Sequence, residues 1–92
     1  MSRVEFDTLV FREGKAYVAH CPELDVSSCG DTVEKARKML RTAVRLFLEE
    51  AENLGTLGTL LREAGYRSRR APGGTHWEPP AIVATERSTV EV

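Results

Sequence analysis

Ninety-two residues are enough for one domain and leave no room for a second independent core. The 13 basic and 14 acidic residues give a net charge of -1, which excludes a polyanion binder that uses its whole surface but not one with a local basic patch. No N-terminal run resembles a signal peptide, and no run approaches the roughly 18 apolar residues of a membrane span. We therefore expect a soluble, cytoplasmic protein that makes no membrane contact and keeps Cys21 and Cys29 as thiols.

Three antiparallel strands are predicted in the first third of the chain. Residues 4 to 11 alternate apolar and polar side chains at their start, which is typical of a strand, and Gly14 then suits a hairpin turn. Residues 16 to 21 predict the second strand, which Pro22 ends because proline has no N–H to donate. Residues 26 to 29 predict a short third strand.

A long amphipathic helix follows these strands. Asp31 as N-cap and Glu34 three residues later form a capping-box pattern. Apolar residues then recur every three or four positions, and Ala43 and Leu48 widen the stripe that they form. Its members are Val33, Ala36, Leu40, Val44, Phe47, Ala51 and Leu54. Gly55 ends this helix, and Thr56 is a suitable N-cap for a short second helix from 57 to 64.

Basic residues occupy the other face of the long helix in its first two thirds. Lys38, Arg41 and Arg45 lie on this face and are candidates for contact with an acidic partner or nucleic acid. A simple solvated helix face is the alternative interpretation.

The last third of the chain lacks such clear periodicity. Residues 1 to 66 are predicted to form the α+β core, and residues 67 to 76 a mobile basic linker rich in proline and glycine. Residues 77 to 92 begin with the anchoring Trp77 and are β-prone, so they are predicted to complete the sheet or an oligomer interface.

Catalytic groups are not predicted, nor is any cofactor or metal ligand. His20 and Cys21 are neighbours on a strand and point to opposite faces, which argues against a Cys/His nucleophile pair. A metal-dependent nuclease needs several gathered carboxylates. The candidates for that role are Asp7, Glu23, Asp25 and Asp31, and nothing specific in their spacing favours convergence.

The stretch from Tyr17 to Asp25, followed by Cys29 to Ala36, resembles the HicB-like antitoxin family of type II toxin–antitoxin systems. The similarity covers about residues 13 to 50 and depends on the paired elements "CPEL" and "GDT" at this spacing. The residues that carry the fold signature and the helix cap are Pro22, Glu23, Leu24, Gly30, Asp31, Thr32 and Glu34.

This resemblance implies a degenerate ribonuclease-H-like fold of the α+β class, with the order β-β-β-α-(α)-β. In it, one long helix packs on one face of an antiparallel sheet and catalysis has been lost. The resemblance also implies a dimer or tetramer that binds and neutralises a small HicA-like RNA-cleaving toxin.

The chain departs from the family pattern at two places. It has Asp25-Val26-Ser27-Ser28 where the family commonly has Pro-Gly-Cys, and residues 67 to 92 lack the helices of an operator-binding segment, so DNA binding is not expected from them. A stand-alone HicB-like regulator that binds protein or nucleic acid, and a metal-dependent nuclease on the same fold, remain alternatives.

Overall fold

Six strands and two helices make up the fold. The computed structural model describes all 92 residues. In chain order the elements are β1 (Ser2–Val4), β2 (Leu9–Glu13), β3 (Ala16–Cys21), β4 (Val26–Gly30), α1 (Val33–Asn53), α2 (Leu57–Glu63), β5 (Arg67–Ala71) and β6 (Gly74–Glu78). The α+β class predicted from the sequence is confirmed. No helix combines the length and apolar composition that crossing a bilayer requires.

The strands form two three-stranded sheets, where the sequence predicted one. One sheet has the order β2-β3-β4 and is antiparallel throughout. The other has the order β1-β6-β5, in which β6 runs parallel to β1 and antiparallel to β5. The strand order therefore differs from the expected one.

The predicted first strand from 4 to 11 is wrong in its extent, because the chain changes sheets within it. β1 ends at Val4 beside β6, and β2 begins at Leu9 beside β3. In the crossing segment, the Asp7 N–H donates to the Glu23 carboxylate at 3.1 Å and not to a neighbouring strand. The two polar residues Asp7 and Thr8 mark the place where the apolar alternation is interrupted.

The hairpin between β2 and β3 is as predicted. Glu13 pairs with Ala16, and Gly14 has a φ of 64° in the two-residue turn between them. Positive φ at the first turn position alone is the type II′ pattern, which matches the twist of the two strands.

Helix α1 begins one residue later than the predicted cap implies. Thr32 is the N-cap, and its hydroxyl accepts a hydrogen bond of 3.1 Å from the Lys35 N–H. The prediction of Asp31 as N-cap was wrong. Asp31 instead forms an exposed ion pair of 3.2 Å with Lys35. Either side chain can cap a helix, so the choice depends on which residue keeps the extended conformation that Thr32 has here.

The α1 stripe is buried at Ala36, Leu40, Val44 and Ala51, as predicted. Phe47 and Leu54 were predicted on the same stripe, yet they are 38% and 68% exposed. Leu48, which was predicted to widen the stripe, packs against the core. The helix therefore lies rotated toward Leu48, and part of its apolar surface faces solvent.

Both helices end in the same hydrogen-bonded motif. After α1, the Thr56 N–H donates to Ala51 O, and Gly55 takes a φ of 75°. After α2, the Tyr66 N–H donates to Leu61 O, and Gly65 takes a φ of 89°. These are Schellman caps, in which glycine supplies the left-handed residue that closes the helix.

The predicted mobile linker at 67 to 76 is wrong, since β5, a turn and most of β6 occupy it. Ala71 pairs with Gly74 across Pro72 and Gly73, and Gly73 has a φ of 84°. Proline followed by a positive-φ glycine is a type II turn. The strand was missed because the side chains of Arg67 to Arg70 are polar on both faces and hide the alternation.

The predicted strand beyond Trp77 is also wrong for most of its length. Trp77 is buried in β6, as its anchoring role required, but β6 ends at Glu78. Pro79 and Pro80 follow and have no N–H groups to continue the ladder. Residues 81 to 92 form neither helix nor strand, and all are exposed.

Two small apolar clusters hold the layers together. The first contains Ala19 and Cys21 of β3 with Ala36, Leu40 and Val44 of α1. The second contains Leu61, Tyr66 and Trp77. Leu24 and Leu48 pack against both clusters, so they link the two sheets across one continuous interior.

Candidate protein-binding surface

The basic residues predicted on α1 are exposed and lie on one side of the helix. Lys38, Arg41 and Arg45 are separated by three and four positions, which places them above one another on the helix surface. None of the three has a carboxylate within ion-pair distance. Their charges are therefore free to meet a partner.

A groove of about 420 Å³ runs beside this basic side, between α1 and the N-terminal strand. Its lining contains apolar side chains from both walls together with two arginines and two glutamates of α1. The lining residues are Met1, Ser2, Val4, Phe6, Arg41, Val44, Arg45, Leu48, Glu49, Glu52 and Leu57. Apolar side chains open to solvent and surrounded by unpaired charges are typical of a protein-contact surface.

A second apolar strip lies on the opposite shoulder of α1. Met39 is 51% exposed and Leu46 is 61% exposed. They are seven residues apart, so they occupy nearly the same side of the helix. The helix thus presents two surfaces for contacts that the single chain does not make.

The predicted signature residues are structural in this fold. Gly30 lies under the start of α1, where a Cβ atom would be 2.7 Å from the Ala36 backbone nitrogen. Leu24 bridges the two core clusters. Pro22 follows the last residue of β3, and Thr32 caps α1. Glu34 lies in the first turn of α1, where its negative charge interacts favourably with the positive end of the helix dipole.

Glu23 connects the segment between β1 and β2 to the end of β3. Its carboxylate accepts hydrogen bonds from the Asp7 N–H at 3.1 Å and from the Cys21 thiol at 3.5 Å. Burial raises the pKa of the Glu23 carboxyl and raises that of the Cys21 thiol from an ordinary value of 9.0 to about 11. A thiol with so high a pKa is a weak nucleophile, so Cys21 contributes to packing.

The residues considered for catalysis form two separate pairs and no common site: His20 Nε2 lies 3.8 Å from the exposed Asp25 carboxylate, and the Cys21 thiol contacts Glu23. His20 donates to or accepts from Ser27 at 2.7 Å on the exposed face of β3, while Cys21 faces the core. This confirms that the two neighbours point to opposite faces. Cys21 and Cys29 are not joined, and Cys29 is exposed. Asp7, Glu23, Asp25 and Asp31 do not form the gathered set of metal ligands that was considered for a nuclease.

One group of potential ligands was missed from the sequence. Glu5, His76 and Glu78 place one ligand atom each within 4.8 Å of one another. His76 and Glu78 are two apart on a strand, which was the available signal. Glu5 comes from the other end of the chain, and only the parallel pairing of β1 with β6 brings it near.

Comparison with protein-family models, with curated proteins and with solved structures finds no match to this chain. The surfaces around α1 and the motif residues are therefore the basis for a functional proposal.

Proposed function

We propose that this protein is an antitoxin-like protein that binds and neutralises a small HicA-like RNA-cleaving toxin. The "CPEL" and "GDT" elements at their HicB-like spacing support the proposal from the sequence. Their residues pack and cap in this fold, which is compatible with a protein that acts by binding.

The observation that carries the proposal is the groove between α1 and β1. It has apolar side chains at its base, Arg41 and Arg45 toward one end of its helical wall, and Glu49 and Glu52 toward the other. The two arginines make no ion pairs within the chain, and neither do the two glutamates. A protein partner with complementary charges buries the apolar base and pairs these groups.

We infer a ribonuclease-H-like arrangement for the same chain. The order of the elements β2, β3, β4 and α1 supports it, because these three antiparallel strands and the long helix follow one another as the resemblance implies. A cytoplasmic location is also part of the proposal, and the free thiols of Cys21 and Cys29 are compatible with it.

Self-association into a dimer or tetramer belongs to the proposal. The exposed Met39 and Leu46 on the far shoulder of α1 support it, because burying them in an interface removes apolar surface from water. Leu46→Glu should shift the mass measured by light scattering toward the monomer. An unchanged mass would show that the interface does not include this side of α1.

Co-expression with the product of the adjacent open reading frame tests the proposed partner. We expect a co-purifying complex and rescue from the growth arrest that the toxin alone causes. The double variant Arg41→Glu with Arg45→Glu should lose both effects. Lys15→Glu is the matched control, because Lys15 is exposed in the β2–β3 turn and removed from the groove. No complex and no rescue by the unaltered chain would refute the antitoxin proposal.

A nucleic-acid-binding regulator is the second candidate, favoured by the three unpaired cations Lys38, Arg41 and Arg45. Phosphate contacts release counterions, so binding to DNA or RNA should weaken steeply as salt rises. Arg41→Glu should weaken it further. A gel-shift series that shows no complex even at low salt removes this candidate.

A further inference from the structure

The solvent-facing side of the β1-β6-β5 sheet carries a concentrated set of charged side chains around one histidine. β6 is the central strand, so His76 lies opposite Arg3 on one side and opposite Arg69 on the other. The His76 Nε2 atom is 2.5 Å from Glu5 Oε2. Glu78 lies two residues further along the strand and on the same face as His76.

The backbone holds these donors in place independently of the side-chain contacts. The Glu5 N–H donates to Trp77 O at 3.1 Å, which continues the pairing of β1 and β6 past Val4. The Glu5 carbonyl accepts from the Tyr66 hydroxyl at 2.7 Å. The His76 side chain is only 15% exposed, whereas those of Glu5 and Glu78 are 58% and 47% exposed. The histidine is therefore fixed, and the carboxylates can adjust around it.

We propose that Glu5, His76 and Glu78 form a binding site for a divalent transition-metal ion of the zinc class. One imidazole nitrogen and two carboxylates are a donor set that suits Zn²⁺. Mg²⁺ and Ca²⁺ prefer all-oxygen sets, so the histidine selects against them. Three protein donors leave a fourth position for water or for a donor from a partner. This proposal does not depend on the antitoxin function.

Geometry permits the ion to enter with small movements. Zinc lies about 2.0–2.2 Å from nitrogen and carboxylate donors. The three ligand atoms already lie within 4.8 Å of one another. The ion takes the place of the proton between His76 and Glu5, and the exposed Glu5 side chain moves outward by roughly 1 Å to accept it.

Arg69 is the competitor for this site. Its Nε atom is 2.5 Å from Glu78 Oε1, so the guanidinium holds the carboxylate that the metal needs. Zinc binding therefore requires Glu78 to exchange Arg69 for the ion, and removing Arg69 should strengthen binding.

Calorimetric titration of the full chain with Zn²⁺ alone tests the proposal. The titrations use the Cys29→Ser background, because the exposed Cys29 thiol is an independent zinc donor. We expect one ion per chain and at least about tenfold weaker binding for both His76→Ala and Glu5→Gln. Arg69→Ala should bind zinc several-fold more tightly. His20→Ala, which removes the other histidine, should leave the affinity unchanged.

Histidine resonances in NMR spectra give a second readout that does not require a folded His76→Ala variant. Zinc should shift the imidazole signals of His76 and leave those of His20 in place. Glu5→Gln nearly preserves the shape of the side chain, so it still tests the metal site if His76→Ala does not fold. Equal affinity in Glu5→Gln and the parent, or a shift confined to His20, overturns the proposal.

Discussion

The Tyr66 hydroxyl donates a hydrogen bond of 2.7 Å to the backbone carbonyl of Glu5, 61 positions earlier in the chain. Tyr66 is buried beside Leu61 and Trp77, and Glu5 lies just after β1. This single contact connects the end of α2 to the segment in which the chain leaves one sheet for the other.

Tyr66→Phe should lower the free energy of unfolding by about 1 kcal/mol, because it removes one buried hydrogen bond and leaves the ring packing in place. Urea denaturation monitored by circular dichroism measures the change. Tyr17→Phe is the control, since the Tyr17 hydroxyl contacts Arg12 on the exposed hairpin. A change as large in Tyr17→Phe as in Tyr66→Phe would contradict the importance of the long-range contact.

Thr32→Ala should cost about 1 kcal/mol of stability, because it removes the side chain that caps the Lys35 N–H. Asp31→Ala should change stability by no more than about 0.5 kcal/mol, since its pair with Lys35 is exposed. Thermal or urea unfolding of the two variants distinguishes them. If Asp31→Ala were the more damaging change, Asp31 would be the true cap.

Gly30→Ala should destabilise the fold by about 1–3 kcal/mol, because the added methyl group meets the backbone of Lys35 and Ala36 at 2.7–2.9 Å. Gly58→Ala is the matched variant within α2. Its Cβ meets only the flexible Arg62 guanidinium, at 2.9 Å, so a gain of about 0.5 kcal/mol in helix stability is expected. Equal effects of the two changes in urea denaturation would contradict this interpretation.

Stability should fall as pH rises from about 9 to 11, because burial raises the pKa of the Cys21 thiol from 9.0 to about 11. A raised pKa means that the folded state retains the proton longer than the unfolded state. The stabilisation is therefore fully present below pH 9 and is lost as the pH approaches the folded-state value. Linkage gives a loss of about 2 kcal/mol at pH 11.

Burial also raises the pKa of Tyr66, so it adds to the same alkaline loss. Cys21→Ala and Tyr66→Phe, measured by urea denaturation across this pH range, separate the two contributions. Cys29→Ser is the control, because its exposed thiol is already in contact with water. An unchanged pH slope in Cys21→Ala would show that the buried thiol is not the titrating group.

Removal of residues 81 to 92 should leave the melting temperature of the single domain unchanged. All twelve residues are exposed and belong to no strand or helix. Pro80 must be kept, since its ring lies against Gly65. Differential scanning calorimetry measures the effect at several protein concentrations. A lower melting temperature that appears only at high concentration would indicate that this segment stabilises an oligomer.

Local patterns predicted the elements whose contacts are local. Residues 16 to 21 and the α1 stripe have clear periods, and Gly14 and Gly55 mark their turn and cap. The division of the first strand and the pairing of β1 with β6 were not predictable in this way, because they depend on residues more than 70 positions apart.

The same limit applies to the sites. The exposed basic face of α1 could be predicted because helical spacing places Lys38, Arg41 and Arg45 together. The Glu5, His76 and Glu78 group could not, since no local pattern brings Glu5 to β6. Phe47 and Leu54 were predicted to be buried and are partly exposed. The helical period was correct, but the period alone does not determine how the helix is rotated about its axis.

The parallel pairing of the first strand with the last has a consequence for synthesis on the ribosome. β2, β3, β4 and α1 contact one another over short separations, so this unit can fold as soon as α1 has emerged. β1 has no strand partner until β6 has been made, and closing so long a loop carries an entropic cost. The first strand of each new chain therefore stays unpaired until residues 74 to 78 have been translated and have left the ribosome.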